Sequence, residues 1–156
     1  MNYEVIENFL PEDYFENIYN FLIKSPSRME WRYNEDVGVP GDKSAILFWK
    51  PIYPFEGNML DSKFFEIIVP ILFYSNIYNP IRIRLNCFVK QENNIETSPH
   101  TDQEYPHKTF LYSVNTNNGY TVLDPGGKNI QIPSVANQAL FFEGPFYHQA
   151  VTQPDT

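Results

Sequence analysis

The sequence has a single cysteine, Cys87, in 156 residues. No internal disulfide can form, and a reducing compartment is the natural setting. Cys87 stands in the apolar stretch Leu85-Asn86-Cys87-Phe88 and reads as a buried small hydrophobe rather than a nucleophile. Long apolar runs are also missing. The longest, residues 67–74, contains Pro70 and is too short to cross a bilayer. The opening Met1-Asn2-Tyr3-Glu4 lacks the basic segment and apolar core of a signal peptide. The expectation is a cytoplasmic protein with no membrane partner. Runs of Lys or Arg are absent, and the formal net charge is -8. Phosphate backbones repel such a chain unless it hides a basic patch, which argues against direct nucleic-acid binding. A basic protein or peptide fits the charge better, although solubility is the plainer reason for it. Oligomeric state is not readable.

What is present points to one globular domain over residues 1–156, with 42% hydrophobic and 19% charged residues. Aromatic residues reach 17%, and 13 prolines with 7 glycines turn the chain often. Both suit a β-rich fold better than a helix bundle. Residues 3–9 alternate as a strand. Pro11-Glu12-Asp13 opens an amphipathic helix over 11–24, with Tyr14, Ile18, Phe21 and Leu22 at helical spacing. Strands are expected at 28–33 and 44–50, separated by a polar loop over 34–43. Asp61 is a cap for a second helix whose buried stripe is Phe64, Phe65, Ile68 and Val69, and Pro70 should kink or split it. After Asn79 the pattern is strands alone: 80–90, 109–115, 119–123, 129–132, 139–143 and 146–152. Asn117-Asn118 suggests a hairpin between the second and third of these. The fold class is α+β, mainly β: a jelly-roll core supported by N-terminal helices.

Along 80–90, Ile81, Ile83, Leu85 and Cys87 share a face that should meet the helices. Arg82, Arg84, Asn86 and Phe88 share the other. That face either lines a polar pocket or belongs to a wet edge strand. Pro99-His100-Thr101-Asp102 lies just before the strand at Thr109. In extended chain His100 and Asp102 point to one side and can grip one ion. His148, 46 residues beyond Asp102, can supply a third ligand from the last strand. Two histidines and a carboxylate leave three octahedral positions open, as non-heme Fe(II) oxygenases require. His-x-Asp alone has little specificity, and a loop residue at His100 with a packed ring at His148 is the plain alternative. His107 has no such context and is a loop or rim residue.

The second half resembles the phage and bacterial 2-oxoglutarate/Fe(II) dioxygenases of the prolyl 4-hydroxylase type. The blocks are Arg84-Leu85-Asn86-Cys87-Phe88, His100-Thr101-Asp102, Thr109 to Asn115, Asn118-Gly119-Tyr120-Thr121, Ser134-Val135-Ala136-Asn137, Ala139 to Gly144, and His148. The resemblance implies a double-stranded β-helix (cupin-like) core. It implies Fe(II) held by His100, Asp102 and His148, with 2-oxoglutarate as co-substrate; Arg84, Asn86 and Tyr112 are the candidate contacts to it. The implied reaction takes O2 and 2-oxoglutarate to succinate and CO2 while hydroxylating a peptide, protein or small-molecule substrate, a prolyl residue among the options. A phage protein of this kind would work in the host cytoplasm.

Three departures stand out. The family usually places Arg or Lys about nine or ten residues after the distal histidine to hold the far carboxylate. This chain stops at Thr156, eight residues after His148, so the expectation is a clipped end or another cation, with Arg84 the stand-in. Phe88 and Ser113 replace frequent tyrosines. The 34–43 loop, in a finger between Trp31 and Trp49, reads either as a lid over a peptide or as an exposed hairpin. Trp31, Tyr33 and Trp49 read as core aromatics. A cupin-like metalloenzyme without 2-oxoglutarate and a catalytically silent β-sandwich binding module remain alternatives.

Overall fold

The computed structural model describes residues 3–25, 29–53 and 62–155. Nine strands and two α-helices run in the order β1 (Tyr3–Ile6), α1 (Glu12–Tyr19), β2 (Arg32–Asn34), β3 (Leu47–Tyr53), α2 (Ser62–Tyr74), β4 (Ile83–Phe88), β5 (Lys108–Ser113), β6 (Tyr120–Asp124), β7 (Ile130–Pro133), β8 (Gln138–Glu143) and β9 (Tyr147–Val151). They form three antiparallel sheets, β1-β8-β5, β2-β3-β4 and β7-β6-β9. The first and third face each other across a core of Leu123, Ile132, Leu140 and Phe142, with Leu111 and Tyr3 against it. This is the expected jelly-roll arrangement, without closure into a barrel.

The N-terminal elements build a second core. Pro11 precedes α1 with an extended backbone, and Glu12 and Asp13 lie in its first turn, where the helix dipole favours acids. A π-helical turn, Asn20–Lys24, continues α1. Leu10, Ile18, Leu22, Ile52, Phe64 and Ile68 form the buried centre, joined by Trp31, Ile83 and Leu85. Asp61 lies outside the described residues. Pro70 sits inside one helix rather than splitting it, since a proline removes a single backbone donor. Val69 is exposed, so the buried stripe is narrower than the sequence suggests. Asn76, at φ +54, closes α2, with Ile77 N–H bonding to Leu72 O and Asn76 N–H to Phe73 O. That is a Schellman cap with asparagine in the left-handed position.

Several expectations change. β2 begins only at Arg32 and β3 runs on to Tyr53. β5 and β6 form no hairpin: β5 pairs with β8, whereas β6 pairs with β7 and β9. The chain crosses from one sheet to the other between them, and the true hairpin is β6–β7. There Asp124 Oδ1 accepts the backbone N–H groups of Gly126, Gly127 and Lys128. Cys87 is exposed, because β4 is an edge strand and the helices cover only Ile83 and Leu85. Ile81 is exposed as well. Trp31 joins the core, Tyr33 is exposed, and Trp49 belongs to none of the three apolar clusters.

Asn137 ties the two cores together. It is buried at φ +60. Its amide accepts from Leu10 N–H and donates to Leu10 O, both at 2.9 Å, and also accepts from the Tyr112 hydroxyl at 2.9 Å. Replacing it would orphan buried backbone groups and force a non-asparagine residue into the left-handed region. Asn137→Ala should cost about 2–4 kcal/mol of stability, measured by urea denaturation.

Candidate metal centre

The segment before β5 adds a further strand-like edge to the β7-β6-β9 sheet. Isolated bridges join Glu96 to Val151 and His100 to His148. Four residues on one side span three on the other, so a bulge lies between the bridges. His100 and His148 exchange both backbone hydrogen bonds, at 3.0 and 2.9 Å. Directly opposed residues of an antiparallel pair project to the same face. The two imidazoles accordingly lie with centroids 4.6 Å apart. Asp102, two residues after His100, completes a group whose ligand atoms all lie within 4.8 Å of one another.

The surroundings orient each donor. His100 Nδ1 lies 3.1 Å from Ser98 O, and His148 Nδ1 lies 3.4 Å from Phe146 O. A carbonyl only accepts, so Nδ1 carries the proton in both rings and Nε2 presents its lone pair. The Phe142 ring stands edge-on to His148 at 5.0 Å. Burial pulls the His148 pKa down, which keeps the ring a neutral ligand. For Asp102 burial works upward, but the Arg82 charge, with His148 and Arg84, outweighs it and holds the carboxyl below the ordinary range. Two neutral imidazoles and one carboxylate, aimed inward, fit a divalent transition metal with open positions.

Arg82 has a role that its place on a polar strand face does not specify. Its Nη2 donates to Asp102 Oδ1 at 2.5 Å, while Asp102 Oδ2 faces His148 Nε2 at 3.8 Å. One carboxylate oxygen is therefore occupied and the other turned to the metal position. Arg84 projects from β4 to the same side. Its charge acts on both Asp102 and His148, and among the described residues it has no ion-pair or hydrogen-bond partner. Burial, and then Arg82, lower its pKa against the opposing pull of Asp102; a guanidinium still stays charged. The strand is thus both an edge strand and a wall of the site. Asn86 follows on the same face and is exposed.

Tyr112 is not at the centre. It bonds to Asn137 and packs with the N-terminal core, whereas its neighbour Leu111 faces the inter-sheet core that holds Phe142. Alternation along β5 sends the two side chains to opposite faces. His107 lies beside β5, its ring against Gly144. The 34–43 loop is fastened to the site rather than free. Asp42 Oδ2 accepts from Ser98 N–H at 2.6 Å, Val37 is buried with Ala45 and Leu47, and Gly38 lies against the His100 ring. A cavity of about 270 Å³ opens beside Tyr147 and Gln149, the neighbours of His148 in β9.

Comparison with known proteins supports the fold. No family model matches the sequence, and no curated protein does. Solved structures do. A prolyl-4-hydroxylase from Pseudomonas putida is similar with a TM-score of 0.63 at 12% identity, over 98% of this chain and 86% of that one. A prolyl hydroxylase from Trichoplax adhaerens, solved with a hypoxia inducible factor peptide fragment, gives 0.60 at 14% identity, over 96% and 82%. OsALKBH1 gives 0.52 at 12% identity, over 97% and 85%. The chain has the fold of the prolyl hydroxylases along nearly its whole length.

Two substitutions test the centre. Removing a nearby cation should, by charge alone, strengthen binding of a divalent ion. If Arg82 instead orients Asp102, Arg82→Gln should weaken Mn(II) binding by about tenfold or more, read by calorimetry. Gly38 has φ +79, and an added Cβ would lie 2.6 Å from His100 Cε1 and Nδ1. Gly38→Ala should displace the ring and lower Mn(II) affinity to a similar degree.

Proposed function

We propose that this chain is a 2-oxoglutarate- and O2-dependent Fe(II) oxygenase that hydroxylates its substrate. The observation that carries the reading is the convergence of His100, Asp102 and His148 inside a prolyl hydroxylase fold. These three side chains would hold the iron. When bound, it supplies the oxidising chemistry that couples decarboxylation of 2-oxoglutarate to substrate hydroxylation.

The chain's own groups account for the rest. His100 and His148 present fixed Nε2 donors, and Arg82 holds the carboxylate of Asp102 in place. Arg84 takes the far carboxylate of 2-oxoglutarate. Among the described residues no side chain pairs with this guanidinium, it faces the metal ligands, and a planar fork of donors matches a carboxylate. Asn86, two residues along the same face, is a further contact to small-molecule ligands. Phe142 and the inter-sheet core keep one side of the centre dry. A peptide substrate is the first to test, because the Trichoplax prolyl hydroxylase was solved with one.

The test is succinate release from 2-oxoglutarate by protein loaded with Fe(II). Wild type should release succinate, and Asp102→Ala should abolish it. Succinate formation by that variant at the wild-type rate would overturn the reading. Arg84→Gln should raise KM for 2-oxoglutarate about 10- to 100-fold, the worth of one charged hydrogen-bond pair. An iron-binding protein that consumes no 2-oxoglutarate would be a metalloenzyme of another kind, and one that binds no metal a silent module.

A further inference from the structure

The net charge of the chain misdescribes the metal centre's surroundings. The sequence contains four arginines, Arg28, Arg32, Arg82 and Arg84, among 11 basic and 19 acidic residues. The three that the structure describes, Arg32, Arg82 and Arg84, gather on the metal-facing side of the β2-β3-β4 sheet, with Arg82 just ahead of β4. Arg82 bonds to Asp102, and Arg84 acts on Asp102 and His148 from two residues further along.

The strand registers place Arg32 there as well. Asn86 shares the face of Arg84. Asn86 pairs with Trp49, and Trp49 pairs with Arg32, so all three share that face in a row across the sheet. The row lies one same-face step from Arg84, roughly 7 Å along the strand. On its other side comes the pair Leu47 and Phe88. Val37, from the loop whose Gly38 touches the His100 ring, packs there with Ala45. The row therefore lies between Arg84, which shares its face with the Asp102 partner Arg82, and the loop that meets the His100 ring.

Its chemistry is that of an anion site with an apolar floor. The Arg32 guanidinium lies 5.7 Å from the centroid of the Trp49 ring. Arg32 is exposed, and among the described residues no carboxylate pairs with it. Trp49 is half-buried but outside the apolar clusters of the described residues, so among these its ring is not consumed by the core. The exposed Asn86 amide stands on the opposite flank. Arg82 is already engaged by Asp102, and Arg84 is assigned to the co-substrate. Among the described arginines, Arg32 is thus the one left for the substrate. A planar guanidinium resting on an indole offers a donor fork suited to a carboxylate.

We propose that the Arg32–Trp49–Asn86 row binds the primary substrate and that this substrate carries a carboxylate. The acid pairs with Arg32, the adjoining apolar part lies on Trp49, and the reacting carbon extends toward the metal ligands. The proposal rests on the oxygenase reading and gives it a substrate class. It also reverses the preference for a basic partner that the whole-chain charge suggests.

Benzoate and benzamide serve as matched probes, differing in the charge of one group. The protein is saturated with Zn(II), a diamagnetic substitute, and with 2-oxoglutarate, so that Arg84 is occupied. Arginine Nε–H and tryptophan indole N–H signals are followed by NMR; the chain has four arginines and two tryptophans. Benzoate should shift the Arg32 and Trp49 signals and bind at least about tenfold more tightly than benzamide, the lower end of what a charged hydrogen-bond pair is worth. Arg32→Gln should erase that preference while leaving the remaining spectrum intact. Equal binding of acid and amide, or a preference that survives Arg32→Gln, would overturn the proposal. Succinate release separates the two readings. Release without the benzoate preference sinks the substrate site alone. A benzoate preference without release leaves a carboxylate site on a protein that is not a 2-oxoglutarate oxygenase.

Discussion

The backbone pairing of His100 with His148 is the constraint on which the site depends. Two hydrogen bonds hold these residues directly opposite each other on neighbouring extended segments. An antiparallel sheet then has no choice about direction: both rings go to the same face. The backbone carbonyls of Ser98 and Phe146 turn the rings about that fixed point, each taking a Nδ1 proton. Asp102 needs only the period of two along its segment to join them. The candidate metal centre is thus a product of sheet register, and it sits on the edge where the 95–100 segment meets β9.

A second constraint is charge. Taking a carboxylate and two imidazoles from water is costly unless compensating groups surround them. The compensation comes from Arg82, just ahead of β4, and Arg84 within this edge strand, both facing the cluster. Arg82 bonds to Asp102 directly and Arg84 contributes at longer range. An acidic chain therefore carries a basic enclave at its centre of chemistry. The 34–43 loop closes around the same region through Asp42, Val37 and Gly38, so loop, strand and ligands form one connected unit.

The failures of sequence reading have physical causes. Asn117-Asn118 has the composition of a hairpin turn, yet the chain there passes between sheets, and turn chemistry does not say which strand lies next to which. Cys87 was expected inside because its neighbours are apolar, but only Ile83 and Leu85 meet the helices. Tyr112 was placed at the site by resemblance, although alternation from Leu111 sends it to the other face. Alternation puts Arg82 on a polar face and says nothing of its partner. Its pairing with Asp102 spans 20 residues of sequence, a distance that no local pattern reports. Trp49 was read as a core residue because large aromatics usually are.

The sequence by itself determined the local features: the amphipathic α1, the alternation of β4, the His-x-Asp spacing and the jelly-roll run of short strands. Each follows from a period or a residue type within a few positions, and so is written in neighbouring letters. Tertiary structure alone decided that His148 stands opposite His100, that Arg82 meets Asp102, and that Arg32, Trp49 and Asn86 line up across the sheet. Those are matters of register between segments far apart in the chain. A register is set by the pairing and packing of whole strands, and no single segment contains it.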